Sequence, residues 1–280
     1  MSNILPPTPC KSGAVYSILE MEIRRENMPL IIKGKMIDRG TPMICVPVVH
    51  SKKADIIESV DALVDAGVEM IEWRADFYEA LLDEEELREM LQILRNKTAE
   101  TILLVTVRTD AEGGNVHLEE EARIALLEQI AKCHCADLID VEYFTYRDPK
   151  SLIHTLQMHG ALVIASHHNF TKTPSTEEML QRLETMAEAD ADMVKLAVMP
   201  QKIKDLLDLL EVTEEFKFRN KDVPLVTMSM GRIGMLSRIS GEIFGSCVTF
   251  GADRMASAPG QLNHKDLEET LAVIHRYYEV

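Results

Sequence analysis

Eight short apolar runs, each followed by a stretch of helical character, recur along this chain from residue 43 onward, and that alternation leaves few folds open. The runs are Met43–Val48, Met70–Arg74, Ile102–Thr106, Leu138–Glu142, Ala161–Ala165, Met193–Val198, Leu225–Met228 and Cys247–Gly251. Near-continuous apolar strands need cover on both faces, which is the condition of a parallel sheet wrapped by helices. Eight strand–helix units in about 240 residues match a closed (β/α)8 barrel, the TIM-barrel architecture. An open doubly wound sheet is the main competitor, but no glycine-rich nucleotide fingerprint follows the first run.

The helices show their own period. Ile56, Val60, Leu63 and Val64 share a face after the first run, and Leu267, Leu271, Ile274 and Tyr278 predict one buried face near the C-terminus. Ser175 with Glu178, and Asp83 with Glu86, have the spacing of helix-opening capping pairs. A fourth helix is expected near Lys150–Met158. Ahead of the first barrel strand, Pro29–Gly34 and Met36–Gly40 predict a small β-hairpin with glycine punctuation. Residues 1–28 lack a basic start leading into an apolar segment and cleavage site, so a disordered extension is expected there rather than a signal peptide. Residues 29–280 are then a single barrel domain.

Composition narrows the partners. The chain is 46% hydrophobic and 27% charged, as in globular proteins with ample core material. Its formal charge of −16 argues against nucleic acid or an anionic membrane surface, both of which need a basic face. A small anionic substrate remains open where local arginines override the general field. No apolar stretch is long enough to span a bilayer. Five cysteines, an odd set, suggest free thiols in a reducing cytoplasm. Cys133-His134-Cys135 lacks a second ligand pair at zinc-site spacing and reads as a helix end.

In a barrel, chemistry belongs at the C-terminal ends of the strands. Glu72 and Arg74 end the second run, two apart and therefore on one face. Arg108 follows the third, with Glu112 before Gly113-Gly114. Ser166-His167-His168-Asn169 follows the fifth, Arg232 and Arg238 the seventh, and Ser257-Ala258-Pro259-Gly260-Gln261 the eighth. Lys195 is the one charged residue within Met193–Val198. An ammonium is costly to bury unless paired or deprotonated, and a neutral lysine is a nucleophile toward ketones. The plainer alternative is a lysine whose stem packs while its head reaches water; the polar company on the same rim favours the chemical reading.

Glu72 and Arg74 suit either a mutual ion pair or substrate hydroxyls. His168 is the candidate general base, and Glu112, if adjacent, would orient its ring. Position alone does not decide which of His167 and His168 faces inward. Arg238 suits a carboxylate through its paired donors, and the Gly231–Gly234 loop equally suits phosphate.

Taken together, Glu72-Trp73-Arg74, Arg108 through Gly114, Ser166 through Phe170, Lys195 through Gln201, Met228-Ser229-Met230 with Ser237-Arg238, and Ser257 through Gln261 resemble the type I 3-dehydroquinate dehydratases over roughly residues 30–280. The resemblance implies a usually dimeric (β/α)8 barrel of the cytoplasm that converts 3-dehydroquinate to 3-dehydroshikimate in the shikimate pathway of aromatic biosynthesis or in quinate breakdown. It implies no metal and no organic cofactor. By position, Lys195 forms the imine, His168 transfers protons and Glu112 stands beside it. Arg238 receives the substrate carboxylate, and Glu72, Arg74, Arg108, Ser257 and Gln261 are ligands for substrate oxygens or part of the closing loop. Two residues depart from the family pattern: Pro47 stands where some relatives have serine, and His167 where asparagine is frequent. A class I aldolase or transaldolase would share barrel and lysine, and a noncatalytic acid-binding barrel would share the site without turnover.

Overall fold

The computed structural model describes residues 29–38, 40–253 and 257–278, so the extension expected at residues 1–28 lies outside the described residues. β1 (Leu30–Ile32) and β2 (Lys35–Ile37) pair antiparallel. The turn between them is Lys33-Gly34, with φ of 50° and 75°. Two successive positive-φ residues give the turn whose twist suits a two-residue hairpin.

Eight parallel strands follow: β3 (Met43–Val48), β4 (Met70–Arg74), β5 (Ile102–Thr106), β6 (Leu138–Glu142), β7 (Leu162–Asn169), β8 (Met193–Val198), β9 (Leu225–Ser229) and β10 (Val248–Phe250). They form one sheet in the order β10-β3-β4-β5-β6-β7-β8-β9. At the seam, Cys247 N donates to Leu225 O at 2.8 Å, and Thr227 N donates to Ser246 Oγ at 3.1 Å. The expected barrel is present and nearly closed, with β7 longer than predicted. It continues through His167, His168 and Asn169, because β8 still offers Leu196, Ala197 and Val198 as pairing partners.

The helices are α1 (Lys53–Asp65), α2 (Glu84–Lys97), α3 (Glu120–Lys132), α4 (Pro149–Met158), α5 (Thr176–Glu188), α6 (Ile203–Arg219), α7 (Gly241–Phe244) and α8 (His264–Tyr278). Asp83 caps α2 by accepting from Glu85 N and Glu86 N, and Ser175 caps α5 by accepting from Glu178 N. Cys133 is the C-cap residue of α3, as a helix-end reading requires, and the described cysteines are free thiols. One expectation fails at the C-terminus. Leu267 and Leu271 bury the inner face of α8, but Tyr278 is 56% exposed, since the last turn outruns the wall on which the helix packs.

Period-two alternation sorts each strand between two cores. Outward residues such as Val46, Ile71, Leu103, Ile139, Val163 and Leu196 pack beneath the helices. Inward residues Met43, Met70, Ile102, Leu138, Ile164 and Met193 fill the lower barrel, where Ile32 and Ile37 of the hairpin join them as a plug. The barrel floor is therefore apolar and sealed, and polar inward residues are confined to the upper end.

Candidate active site

The same parity selects the functional side chains. On β8, Val194, Leu196 and Val198 pack outward, which turns Lys195 inward, above Met193. Glu72 and Arg74 of β4, Asp140 and Glu142 of β6, and Ser166 and His168 of β7 share that inward phase. Above the apolar floor is a cavity lined by Glu72, Arg74, Arg108, Glu112, His168 and Lys195, with Phe170, Met228, Met230 and Phe250 as apolar walls. Ser257 and Gln261 close one side.

Lys195 is 3% exposed. Its Nζ lies 3.8 Å from Glu72 Oε1 and 3.6 Å from Asp140 Oδ2, and 4.3 Å from the centre of the Phe250 ring. The amine thus has carboxylates within ion-pair range and an aromatic face over it, an environment that tolerates a cation at this nitrogen.

The mutual pairing considered for Glu72 and Arg74 is replaced by separate partners. Thr106 Oγ1 donates to Glu72 Oε1 at 2.9 Å. Arg74 donates through Nε and NH2 to the two oxygens of Asp76, each at 2.8 Å. Side chains two apart on a strand point the same way, but Glu72 is held from β5 and Arg74 from the turn that follows β4.

Arg108 is committed to protein acids more than the sequence suggested. Its NH2 lies 2.8 Å from Asp140 Oδ2, and its NH1 donates to Glu142 Oε1 at 3.2 Å and Ser166 Oγ at 3.1 Å. Burial opposes its charge, yet Asp140, Glu142 and Glu112 outweigh that cost and raise its pKa. Burial likewise opposes ionisation of Asp140, but Arg108, Lys195 and His168 hold its carboxyl well below the usual range. Ser166 Oγ completes this cluster by donating to Asp140 Oδ1 at 2.6 Å.

Glu112 reaches the site from a 3-10 turn at Asp110–Glu112 that folds back against its own strand. Gly114 permits the fold-back, because a Cβ there would lie 2.0 Å from Arg108 O. Glu112 Oε2 accepts from His168 N and faces His168 Nδ1, both at 2.9 Å. Its other oxygen, Oε1, faces His167 Nδ1 at 2.8 Å. The structure therefore brings together the predicted Glu112–His168 pair, with His168 lining the cavity. Burial, helped by Arg108 and Lys195, lowers the His168 pKa to about 3 against the pull of Glu112. For Glu112, burial raises the pKa, but the two histidine contacts and Arg108 bring it down to about 2. A neutral imidazole held by an ionised carboxylate is the resting form of a general base.

Arg238 ends the 3-10 turn Ile233–Arg238 and is 1% exposed. It is not in the cavity lining but behind it: NH1 donates to Phe250 O at 3.3 Å and NH2 to Pro259 O at 3.1 Å. Its Nε is buried without a hydrogen-bond partner among the described residues. Burial lowers its pKa to about 10, the signature of a guanidinium short of a counter-charge. In the closing loop, Gln261 Oε1 accepts from Ser257 N at 2.8 Å, and Gln261 Nε2 donates to Ser257 Oγ at 3.0 Å. Pro47 is buried in β3 opposite Glu72 in the strand register.

Sequence reasoning missed Asp140, Glu142 and Phe250, and placed Ser166 on the rim without giving it a role. The signal for the first two was present, since Leu138-Ile139-Asp140-Val141-Glu142 repeats the two-apart charged pattern that singled out Glu72 and Arg74.

Fold and site together define a class: (β/α)8-barrel enzymes that set a buried amine and a carboxylate-held imidazole in one mouth. Comparison narrows it. The model of the type I 3-dehydroquinase family matches residues 44–278. The 3-dehydroquinate dehydratase of Clostridium novyi (strain NT) is 41% identical over 245 residues, covering 87% of this chain and 97% of that protein. That of Clostridioides difficile (strain 630) is 41% identical over 246 residues, covering 88% and 96%. The structure of the Clostridium difficile type I 3-dehydroquinate dehydratase with covalently modified comenic acid matches with a TM-score of 0.86 at 40% identity, over 89% of this chain and 99% of that one. The Geobacillus kaustophilus HTA426 enzyme gives a TM-score of 0.86 at 31% identity, over 90% and 98%. The chain belongs to the type I 3-dehydroquinase family.

Proposed function

We propose that the chain dehydrates 3-dehydroquinate to 3-dehydroshikimate, the reaction of its family, through an imine on Lys195 with His168 moving the protons. The observation that carries this reading is the cavity shared by the Lys195 amine and the His168 ring, one register layer apart on adjacent strands. The neutral amine attacks the ketone carbon, and the resulting carbinolamine loses water to give an iminium. That cation withdraws electrons from the neighbouring carbon, so His168 can remove its proton and leave an enamine. The enamine electrons expel the β-hydroxyl, which leaves as water with the proton His168 returns. A second water hydrolyses the product iminium and frees the amine.

Positive charge appears on the Lys195 nitrogen in each iminium, which suits Asp140 and Glu72 at 3.6 and 3.8 Å. Glu112 holds the imidazole. The buried cation of Arg238, without a carboxylate partner among the described residues, supports its assignment to the substrate carboxylate. Glu72, Arg74, Arg108, Ser257 and Gln261 surround the ring oxygens. The lysine itself supplies the electron sink, so the mechanism invokes neither metal nor organic cofactor. Residues 29–280 act as one catalytic domain, in a homodimer of the cytoplasm, on a small-molecule substrate.

The test is incubation with 3-dehydroquinate while following absorbance of the conjugated enone, alongside borohydride reduction and intact mass. Lys195→Ala is expected to lower turnover on the order of 10⁴-fold or more and to abolish the reduced adduct, with the fold retained. An adduct that persists in Lys195→Ala sinks the assignment. Light scattering should give a particle of twice the 31.6 kDa chain mass; a monomer refutes the dimer.

A further inference from the structure

His167 has no place in the reaction above, yet it is tied into the site more tightly than a bystander needs to be. It lies on the outward phase of β7, with a side chain 13% exposed, and takes the Oε1 oxygen of Glu112 while His168 takes Oε2. On its other side, Arg182 NH1 lies 3.1 Å from His167 Nε2. A guanidinium only donates, so His167 Nε2 is an acceptor and its ring proton belongs on Nδ1, donating to Glu112. Arg182 is in turn fixed from α5: its Nε and NH2 donate to Glu178 Oε1 at 3.2 and 2.8 Å. Its guanidinium lies 4.8 Å over the Phe144 ring, which meets His167 edge-on at 5.3 Å.

We propose that Arg182 and His167 are positioning residues for the dehydration, a strut that saturates one oxygen of Glu112. The other oxygen is thereby left in line to hold His168 as its Nδ1–H tautomer with Nε2 toward the substrate. This deepens the assignment of His168 as the proton carrier and rests on it. A carboxylate with one unsatisfied oxygen is free to rotate or to draw a proton; Glu112 has neither freedom, because both oxygens receive donors. The charged groups around His167 are Glu112 with Arg108 NH1 at 3.7 Å on the barrel side, and Arg182 with Glu178 on the helix side. Lys172, from the loop after β7, acts on Glu178. Phe144 and His168 bring no formal charge in the resting enzyme. An N–H on His167 Nε2 would face the donors of Arg182, which leaves the ring proton on Nδ1, where it donates to Glu112.

The experiment combines ring 15N NMR with steady-state kinetics on the full chain. In the wild type, the neutral His167 ring is expected to carry its proton on Nδ1; a proton on Nε2 overturns the proposal. His167→Leu removes the donor and is expected to lower kcat by about tenfold or more, the scale seen when the outer partner of a metal-bound histidine is lost, with KM little changed. The acid limb of the kcat profile should also move to higher pH, because a Glu112 oxygen without its donor binds the imidazolium of His168 more strongly. His167→Asn places an amide N–H where Nδ1 was, and should return kcat to within about threefold of wild type. A His167→Leu enzyme with wild-type kcat and pH profile overturns the proposal, as does a His167→Asn enzyme no faster than His167→Leu. Should His167→Leu fail to fold, Arg182→Met removes only a side chain 26% exposed; it is expected to let the His167 tautomers mix and to lower kcat. An unchanged tautomer and rate there also overturn the strut. His168→Ala separates the two levels: wild-type turnover in that variant removes the proton carrier itself, whereas its loss beside a normal His167→Leu removes only the strut.

Discussion

At the scale of single residues, the site is built from charges that need one another. His168 titrates near 3 rather than its ordinary 6.5, so the unfolded chain takes up that proton first as the solution is acidified. The sign follows: stability is full above about pH 6.5 and is lost as pH falls toward 3. Glu112, depressed from 4.5 to about 2, adds a second loss over that lower window. Thermal melts between pH 7 and 4 are expected to show a steady fall in Tm, and His168→Gln, which cannot be protonated, should flatten it. A wild-type Tm independent of pH across that range contradicts the burial of a neutral imidazole. Legibility at this scale depended on strand parity. The candidate general base was visible as a His-His pair, but the strand was expected to stop at Ala165, and a loop has no phase. Once β7 extends to Asn169, His168 shares the inward phase of Ser166, and His167 the outward phase of Ala165.

At the scale of elements, the hairpin seals the end of the barrel opposite the cavity. Ile32 and Ile37 enter the lower core. Between them Lys33 donates to Thr98 O at 2.6 Å and Thr101 O at 2.7 Å, and its Nζ lies 2.7 Å from Asp137 Oδ2. One turn residue thus ties the plug to the end of α2 and to the start of β6. Lys33→Met removes the ammonium from Thr101 O, from Thr98 O, which keeps Thr101 N, and from Asp137, which keeps Arg95 and Leu103 N; it is expected to cost roughly 1–3 kcal/mol while kcat stays at the wild-type value. Denaturant melts and a rate assay decide it; a fall in kcat with unchanged stability means the plug communicates with the site. Strand and helix positions were legible because each follows from local apolar period and caps. The partners of Arg74, Arg108 and Lys33 were not, since they come from neighbouring elements brought alongside by pairing.

For the whole molecule, the formal charge of −16 opposes the approach of an anionic substrate, while the arginines act only at short range inside the mouth. The general field is screened within about 10 Å at 0.1 M salt and reaches about 30 Å at 0.01 M. Raising salt from the lower to the higher value is therefore expected to increase kcat/KM for 3-dehydroquinate, about twofold or more. A decrease means that the local arginine field reaches beyond the rim and dominates capture.

The amino-acid sequence by itself determined that strands and helices alternate eight times, where most of them begin and end, and that a lysine lies in a run otherwise fit only for burial. Those properties depend on neighbours a few residues apart. The tertiary structure alone decided that Asp140 and Glu72 flank Lys195, that Arg238 stands behind Phe250, and that Glu112 is shared between two histidines. Each of those contacts joins different strands or loops. Their meeting depends on how far each strand is staggered when the sheet curls shut, a quantity set by packing across the whole barrel and written in no single stretch of chain.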